Sequence, residues 1–404
     1  MIRYLPQEEK CRTRAVYETN FPEDSKEFVD YYYKEKIKDD QILVMEEGGK
    51  LEVMIHLNPY LFQVCGQQAS VNYVVAVATD ASVRRQGKMA AVLERALRDM
   101  AKEGQPFTFL IPANPEVYRS SGFAFVTSEA YSEGLKQLEE KVAGGEGMQT
   151  DGNSQGESGT QAGRLCFRRA AAEDHSAMAA FANRLLAQEY DLYPYRTAAY
   201  YARLAREMAC QNGGLVLLVM EKGSFWQEDL LQGLEYGADQ IVGIFSYGRE
   251  DGQVELQEIL VKKEERQEFF SQIREYLSKN LGGMEEQGKS DSETEAVEQE
   301  TLQRAIKAPE QESSVQITRM DFMFRILDLK ALVPMLRSRK PFVLRVQVQD
   351  RILPENAGAY EIRLDRQGGT ITDISAAEAE CSMDIAKLAE CLFEKVRIFI
   401  REWV

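Results

Sequence analysis

The chain has 404 residues, room for two or three domains with buried cores. Its 65 acidic and 49 basic side chains give a formal charge of −16, which argues against sequence-independent nucleic-acid binding and favours cationic partners such as polyamines, aminoglycosides or lysine side chains. No apolar run approaches the roughly 18 residues of a spanning helix, and the first ten residues lack a signal-peptide core, so a soluble, cytoplasmic protein without a membrane partner is expected.

In chain order, residues 28–38 read as a helix with aromatics on more than one face. Residues 42–45, 51–57 and 71–79 read as strands, separated by turns at Gly48-Gly49 and Asn58-Pro59. Met89, Val92, Leu93, Ala96, Leu97 and Met100 recur at helical spacing and predict an amphipathic helix ending near Gly104, followed by a buried strand over 107–111. The second part repeats the alternation: a helix over 174–189, strands over 215–221, 241–247 and 253–261, and a helix over 264–279. The last part predicts a strand over 315–325, a helix over 329–336, strands over 342–348, 359–364 and 369–374, and a short helix over 384–393. Segments 144–163 (Gly/Ser/Gln-rich) and 282–314 (acidic) cannot bury enough apolar area to offset their ordering entropy and read as linkers. They divide the chain into residues 1–143, 164–281 and 315–404.

The six cysteines, Cys11, Cys65, Cys166, Cys210, Cys381 and Cys391, form no C-x-x-C pair, so buried thiols are expected rather than a zinc site or a disulfide framework. His56 and His175 belong to no metal-ligand motif, and His56 reads as a strand residue. Catalysis then falls to carboxylates, tyrosines, main-chain amides or a chain terminus.

The most informative stretch runs from Thr79 to Ala90, between a strand and a helix. A glycine at a helix start leaves N–H groups open, and the helix dipole adds to their attraction for an anion. Arg84, Arg85 and Lys88 gather positive charge there, and a pyrophosphate suits such a turn. An ordinary strand–helix connection with solvated cations explains the same residues, since one glycine loop is weak evidence.

Arg84-Arg-Gln-Gly87-Lys-Met89 resembles the R/Q-x-x-G-x-G/A loop of the GNAT superfamily of N-acetyltransferases, which holds the acetyl-CoA pyrophosphate. The surrounding VNYVVAVATDASVRRQGKMAAVL and FTFLIPANPEVYRSSGFAF resemble the Eis-like (enhanced intracellular survival) branch; Met89 departs from the general Gly/Ala position in a way familiar within it. The resemblance implies an α/β chain: two GNAT-type mixed-sheet domains in tandem, the second degenerate, and a C-terminal α+β domain like sterol carrier protein. It also implies acetyl-CoA as cosubstrate, a primary amine as acceptor and a homo-oligomer, specifically a hexamer. Carried over residue by residue, Val77, Ala78 and Thr79 would bond the pantetheine arm as an added strand. Arg85, Gln86, Gly87, Lys88, Met89 and Ala90 would wrap the pyrophosphate, and Ala113 and Asn114 would flank the splayed cofactor. Tyr118 would be the general acid and the terminal carboxylate of Val404 the base. A packing tyrosine and a terminal strand are the plain readings of these last two. Phe28, Tyr31, Tyr32 and Tyr33 read as core and pocket wall, with Asp30 beside them suited to a cationic amine, and Glu116 is a further carboxylate near the loop. A non-catalytic acyl-CoA or lipid carrier, or a transferase of longer acyl chains, is the competing reading.

Overall fold

The computed structural model describes residues 1–38, 41–126, 165–220, 237–250, 253–281, 315–317 and 321–400. The predicted linkers at 144–163 and 282–314 lie outside these residues, as does Val404.

Up to residue 126 the chain forms β1 (Ile2–Tyr4), α1 (Arg14–Asn20), α2 (Lys26–Lys34), β2 (Gln41–Glu47), β3 (Lys50–Val64), β4 (Gln67–Thr79), α3 (Lys88–Lys102), β5 (Phe107–Leu110), α4 (Glu116–Arg119) and β6 (Ala124–Phe125). There follow β7 (Leu165–Arg169), α5 (His175–Glu189), β8 (Leu192–Pro194), α6 (Ala198–Cys210), β9 (Gly214–Met220), β10 (Ile241–Glu250), β11 (Gln253–Val261), α7 (Arg266–Leu281) and β12 (Val315–Ile317). The last stretch holds β13 (Met323–Ile326), α8 (Leu329–Leu332), β14 (Phe342–Gln349), β15 (Gly358–Leu364), β16 (Gly369–Asp373), β17 (Cys381–Asp384) and α9 (Ile385–Phe393).

These elements fall into two compact units, one of Met1–Lys136, Ala182–Thr197 and Arg319–Val404, the other of Gln137–Phe181 and Ala198–Thr318. Composition suggests a break before residue 315; the contacts instead join the C-terminal segment to the N-terminal one. The cause is visible in the first unit's main sheet, ordered β1-β2-β3-β4-β5-β13-β6, with β8 on β3. Strand β13 is antiparallel to both β5 and β6. Phe324 on β13 stacks on Phe107 at 5.4 Å and lies 4.8 Å from Phe393 of α9, so one continuous core spans both ends of the chain.

Strands β3 and β4 form one long hairpin, which corrects the expected turn at Asn58-Pro59. Pro59 lies inside β3, opposite Asn72. On the other flank β2 pairs only as far as Leu57 and β8 begins at Phe62, and that gap tolerates a residue without an N–H. The chain reverses at Cys65-Gly66, where φ values of 48° and 87° meet the two-residue hairpin's need for left-handed backbone at both positions. The predicted helix at 89–100 is α3; its apolar stripe Val92, Leu93, Ala96, Leu97 and Met100 is buried against the sheet. Residues 315–325, read as one strand, are β12 and β13 in different sheets.

On the other side of the β3–β4 hairpin, Tyr17, Phe28, Tyr31, Tyr32 and Tyr33 are buried, and the four aromatics of α2 belong to the core as expected. His56 is fully buried among them: Tyr32 Oη lies 2.7 Å from its Nδ1, and the two rings stack at 5.7 Å. Burial, reinforced by the charge of Lys10, pushes its pKa down from 6.5 to about 3. The unfolded chain therefore binds the extra proton between those values, and stability falls as pH drops from 6.5 towards 3. Against the native protein, His56→Asn should lose this component, at most about 1.4 kcal/mol per pH unit, in denaturant melts between pH 6.5 and 4.

In the second unit the sheet runs β12-β11-β10-β9-β7. Its steps are antiparallel until the last, β11–β12, which is parallel with α7 between the two strands. That is the order of β1 through β5, where α3 lies between the parallel pair β4–β5. The second unit thus repeats the first sheet's topology. The turn before α7, Lys262 to Glu265, has no glycine and carries Glu264 and Glu265, so it offers no comparable anion cradle.

The remaining four-stranded sheet, β16-β15-β14-β17, buries Val346, Val348, Tyr360 and Ile362 on one face, and α9 starts from Asp384, whose carboxylate accepts the Lys387 N–H at 2.8 Å. Predicted strands at 342–348, 359–364 and 369–374 correspond to β14, β15 and β16; β17 and α6 were not predicted.

Candidate active site

Strands β4 and β5 are parallel neighbours, yet their pairing is confined to Tyr73 opposite Phe109. Beyond Tyr73, β4 keeps its pairing with β3 while the β5 side opens. A bulge accompanies the divergence. The register steps from His56↔Val75 to Met54↔Ala78, so Ala76 and Val77 together face Ile55, and Ala76 takes a left-handed φ of 48°. An extra residue bends its strand and interrupts the ladder. Val77, Ala78 and Thr79 thus end β4 with main-chain groups along an open edge, suited to an extended ligand that adds as a strand.

After β4, Asp80 opens a short turn, accepting the Ser82 N–H at 2.9 Å and pairing with Lys50 at 2.8 Å. Those contacts hold its carboxyl well below the usual range. Arg85 and Gly87 are left-handed, with φ of 61° and 76°, a conformation that turns successive N–H groups towards a common point. Gly87 caps α3, and the first N–H groups of that helix, at Lys88, Met89 and Ala90, have no partner within it. A Cβ built on Gly87 meets nothing within 4 Å, so space stands open at the cradle. Arg85 and Gln86 are exposed beside it.

The cations of this loop are not equivalent, which the sequence did not show. Lys88 reaches Glu52 at 2.6 Å and Glu47 at 2.9 Å, and is held protonated by them. Arg84 donates to the Thr79 carbonyl at 3.1 Å and to Asn20 Oδ1 at 2.8 Å. Both brace the loop, leaving Arg85 and the main chain to face an anion. Beside them lies a cavity of about 510 Å³ lined by Arg12, Val16, Asn20, Lys50, Asp80 and Arg84 among others. Arg12, Asn20 and Lys50 were not singled out in the sequence; they are brought together by the 3-10 turn before α1, by α1 itself and by the start of β3.

Following β5, Ala113 and Asn114 are exposed, and Asn114 Oδ1 accepts the Glu116 N–H at 3.2 Å to start α4. Tyr118 sits on α4, half-buried, its ring edge-on to Phe123 at 6.0 Å. Its hydroxyl has no hydrogen-bond partner among the described residues. Burial pushes its pKa up to about 12, so it carries its proton at neutral pH. Tyr118 and the Gly87 loop follow the carboxyl ends of adjacent parallel strands, where open α/β sheets bind ligands. Of the other carboxylates, Asp30 is paired with Arg14 and Lys26, both at 2.6 Å, and Glu116 with Arg119 at 2.9 Å. Among the described residues no cluster could hold a metal ion, and no helix is long and apolar enough to cross a membrane.

Residues 1–126 match the sequence profile of the acetyltransferase (GNAT) domain family. They are a GNAT acetyltransferase domain. No curated protein matches the chain significantly. Solved structures extend the likeness of fold beyond the GNAT domain. A GCN5-related N-acetyltransferase from Anabaena variabilis aligns with a TM-score of 0.64 at 14% identity over 97% of this chain and 90% of its own. A probable N-acyltransferase from Enterococcus faecalis gives 0.61 at 14% identity over 98% and 93%. Eis1 from Mycobacterium abscessus gives 0.57 at 13% identity over 97% and 89%. The chain therefore carries a GNAT acetyltransferase domain within a mixed-sheet α/β fold shared with those structures, and the Gly87 loop and the β4–β5 divergence lie inside the matched domain.

Proposed function

We propose that the protein is an acetyl-CoA-dependent N-acetyltransferase acting on a primary amine of cationic character, of the polyamine, aminoglycoside or lysine type. The observation that carries this reading is the open β4–β5 edge with the Gly87 cradle at its mouth. Main-chain N–H groups from Gly87 to Ala90 would hold the pyrophosphate, with Arg85 and Gln86 beside it. Val77, Ala78 and Thr79 would bond the pantetheine arm, Ala113 and Asn114 would flank it on the β5 side, and strand-end amides would polarise the acetyl carbonyl. Acetyl-CoA supplies an acetyl thioester whose carbon–sulfur bond breaks as the nitrogen–carbon bond forms. Tyr118 gives its proton to the departing sulfur.

The amine proton goes, on this reading, to the carboxylate of Val404. Support comes from the described part of the tail: Val396, Ile398, Phe399 and Ile400 are buried, and Ile398 bridges Leu192 of β8 in parallel. Since β8 is antiparallel to β3, residues 398–400 run in the direction of β4, towards the sheet end where β4 and β5 part. The charge of −16 supports a cationic acceptor. By family resemblance, the protein works as a hexamer in the cytoplasm and its C-terminal sheet is of sterol-carrier type.

The test is a panel of aminoglycosides, polyamines and lysyl peptides assayed for acetyl-CoA-dependent thiol release. Release with at least one amine is expected. Tight acetyl-CoA binding without turnover on any of them would favour a carrier.

A further inference from the structure

We infer that Arg325, with Asp350 behind it, is a positioning residue for Tyr118; this rests on the reading of Tyr118 as the acid. The four-residue helix α4 cannot hold a side chain in place by itself. Its end is fixed by three main-chain bonds, Ser121 N–H to the Tyr118 carbonyl at 3.0 Å, Gly122 N–H to the Arg119 carbonyl at 2.9 Å and Phe123 N–H to the Tyr118 carbonyl at 3.4 Å, with Gly122 left-handed at φ 83°. The Tyr118–Phe123 ring contact completes this C-terminal motif.

Such an end still leaves carbonyls without a helical partner. The Ser121 carbonyl finds one in Arg325 Nε, at 2.8 Å and 204 residues away in sequence. Arg325 is itself clamped. Its Nη2 meets both Asp350 oxygens, at 2.6 and 2.8 Å, and Asp350 also accepts the N–H groups of Ile352 and Leu353 and the amide of Asn356. The packing is close: a Cβ on Gly122 would lie 2.7 Å from Arg325 Nε and 2.9 Å from Ile385 Cγ2. Both members of the ion pair are 1% exposed. A buried pair of this kind gives little net stability over an apolar pair of the same volume. What it supplies here is a fixed donor direction, three residues from the Tyr118 hydroxyl's backbone.

Arg325→Lys keeps the charge and loses the guanidinium fork, so it should lower kcat roughly tenfold or more, as small misplacements of a catalytic group do, while leaving acetyl-CoA affinity unchanged. A double-mutant cycle with Tyr118→Phe, using the best amine of the panel, identifies the route of the effect. If Arg325 acts through Tyr118, Arg325→Lys should change kcat less than about twofold once the hydroxyl is gone. An equal fold-loss in both backgrounds, or native kcat in folded Arg325→Lys, overturns the proposal. A Tyr118→Phe enzyme with native kcat would instead remove Tyr118 from the chemistry, a different failure. Should Arg325→Lys not fold, Asp350→Asn, which keeps the volume and weakens the clamp, runs the same cycle: loss of its effect in the Tyr118→Phe background supports the proposal, and an equal fold-loss in both backgrounds overturns it.

Discussion

Titrated with acetyl-CoA, Gly87→Glu is expected to show no measurable binding while remaining folded. Two effects of different size separate affinity from stability. Any side chain at φ 76° costs about 1–2 kcal/mol, a fraction of the 5–15 kcal/mol that holds a typical domain together. There is no steric clash to add, because a Cβ meets nothing within 4 Å. The carboxylate, however, stands beside the N–H groups that would face a pyrophosphate. One like-charge contact at about 4 Å under partial screening is worth about 4 kcal/mol, roughly a thousandfold in Kd. The side chain also fills the space left open at the cradle. Calorimetry with unchanged affinity would take the loop out of the site.

Tyr118→Phe should lower kcat by about 10²–10⁴, the usual contribution of a positioned acid, and leave acetyl-CoA affinity and melting temperature near native values. The packing against Phe123 depends on the ring, which phenylalanine keeps. With its pKa pushed up to about 12, Tyr118 holds its proton across the neutral and mildly alkaline range, so loss of the acid should not limit kcat of the native enzyme below about pH 11. Native kcat in the variant would make Tyr118 a packing residue.

The legible parts of this chain are those whose signal is local. The α3 stripe from Val92 to Met100 and the loop from Arg84 to Ala90 carry their meaning within a dozen residues, and both are where the sequence placed them. What was misread depends on partners far along the chain. Asn58-Pro59 has turn composition, yet the β3–β4 ladder continues through it because a flanking strand is absent just there. Residues 315–325 are uniformly strand-like, and nothing local says that Val315 and Met323 join different sheets. The role of Lys88 was hidden because Glu47 and Glu52 come from another hairpin. Arg325 did leave a trace: a charge inside the apolar run Phe322-Met-Phe-Arg-Ile-Leu327 has to be paired when that run is buried. Sequence could say that a partner exists, but not that it is Asp350 or that the pair reaches the turn of Tyr118.

In the proposed function, the Gly87 loop and the opened β4–β5 edge form one acetyl-CoA site with Tyr118 at its reacting end. A crystal structure of the acetyl-CoA complex measures this most directly. Pyrophosphate oxygens are expected at about 2.7–3.2 Å from the main-chain nitrogens of residues 87–90, with the pantetheine bonded to the main chain of residues 77–79 and the thioester sulfur beside the Tyr118 hydroxyl. A pyrophosphate bound away from the α3 N-terminus, or a thioester remote from Tyr118, would contradict it.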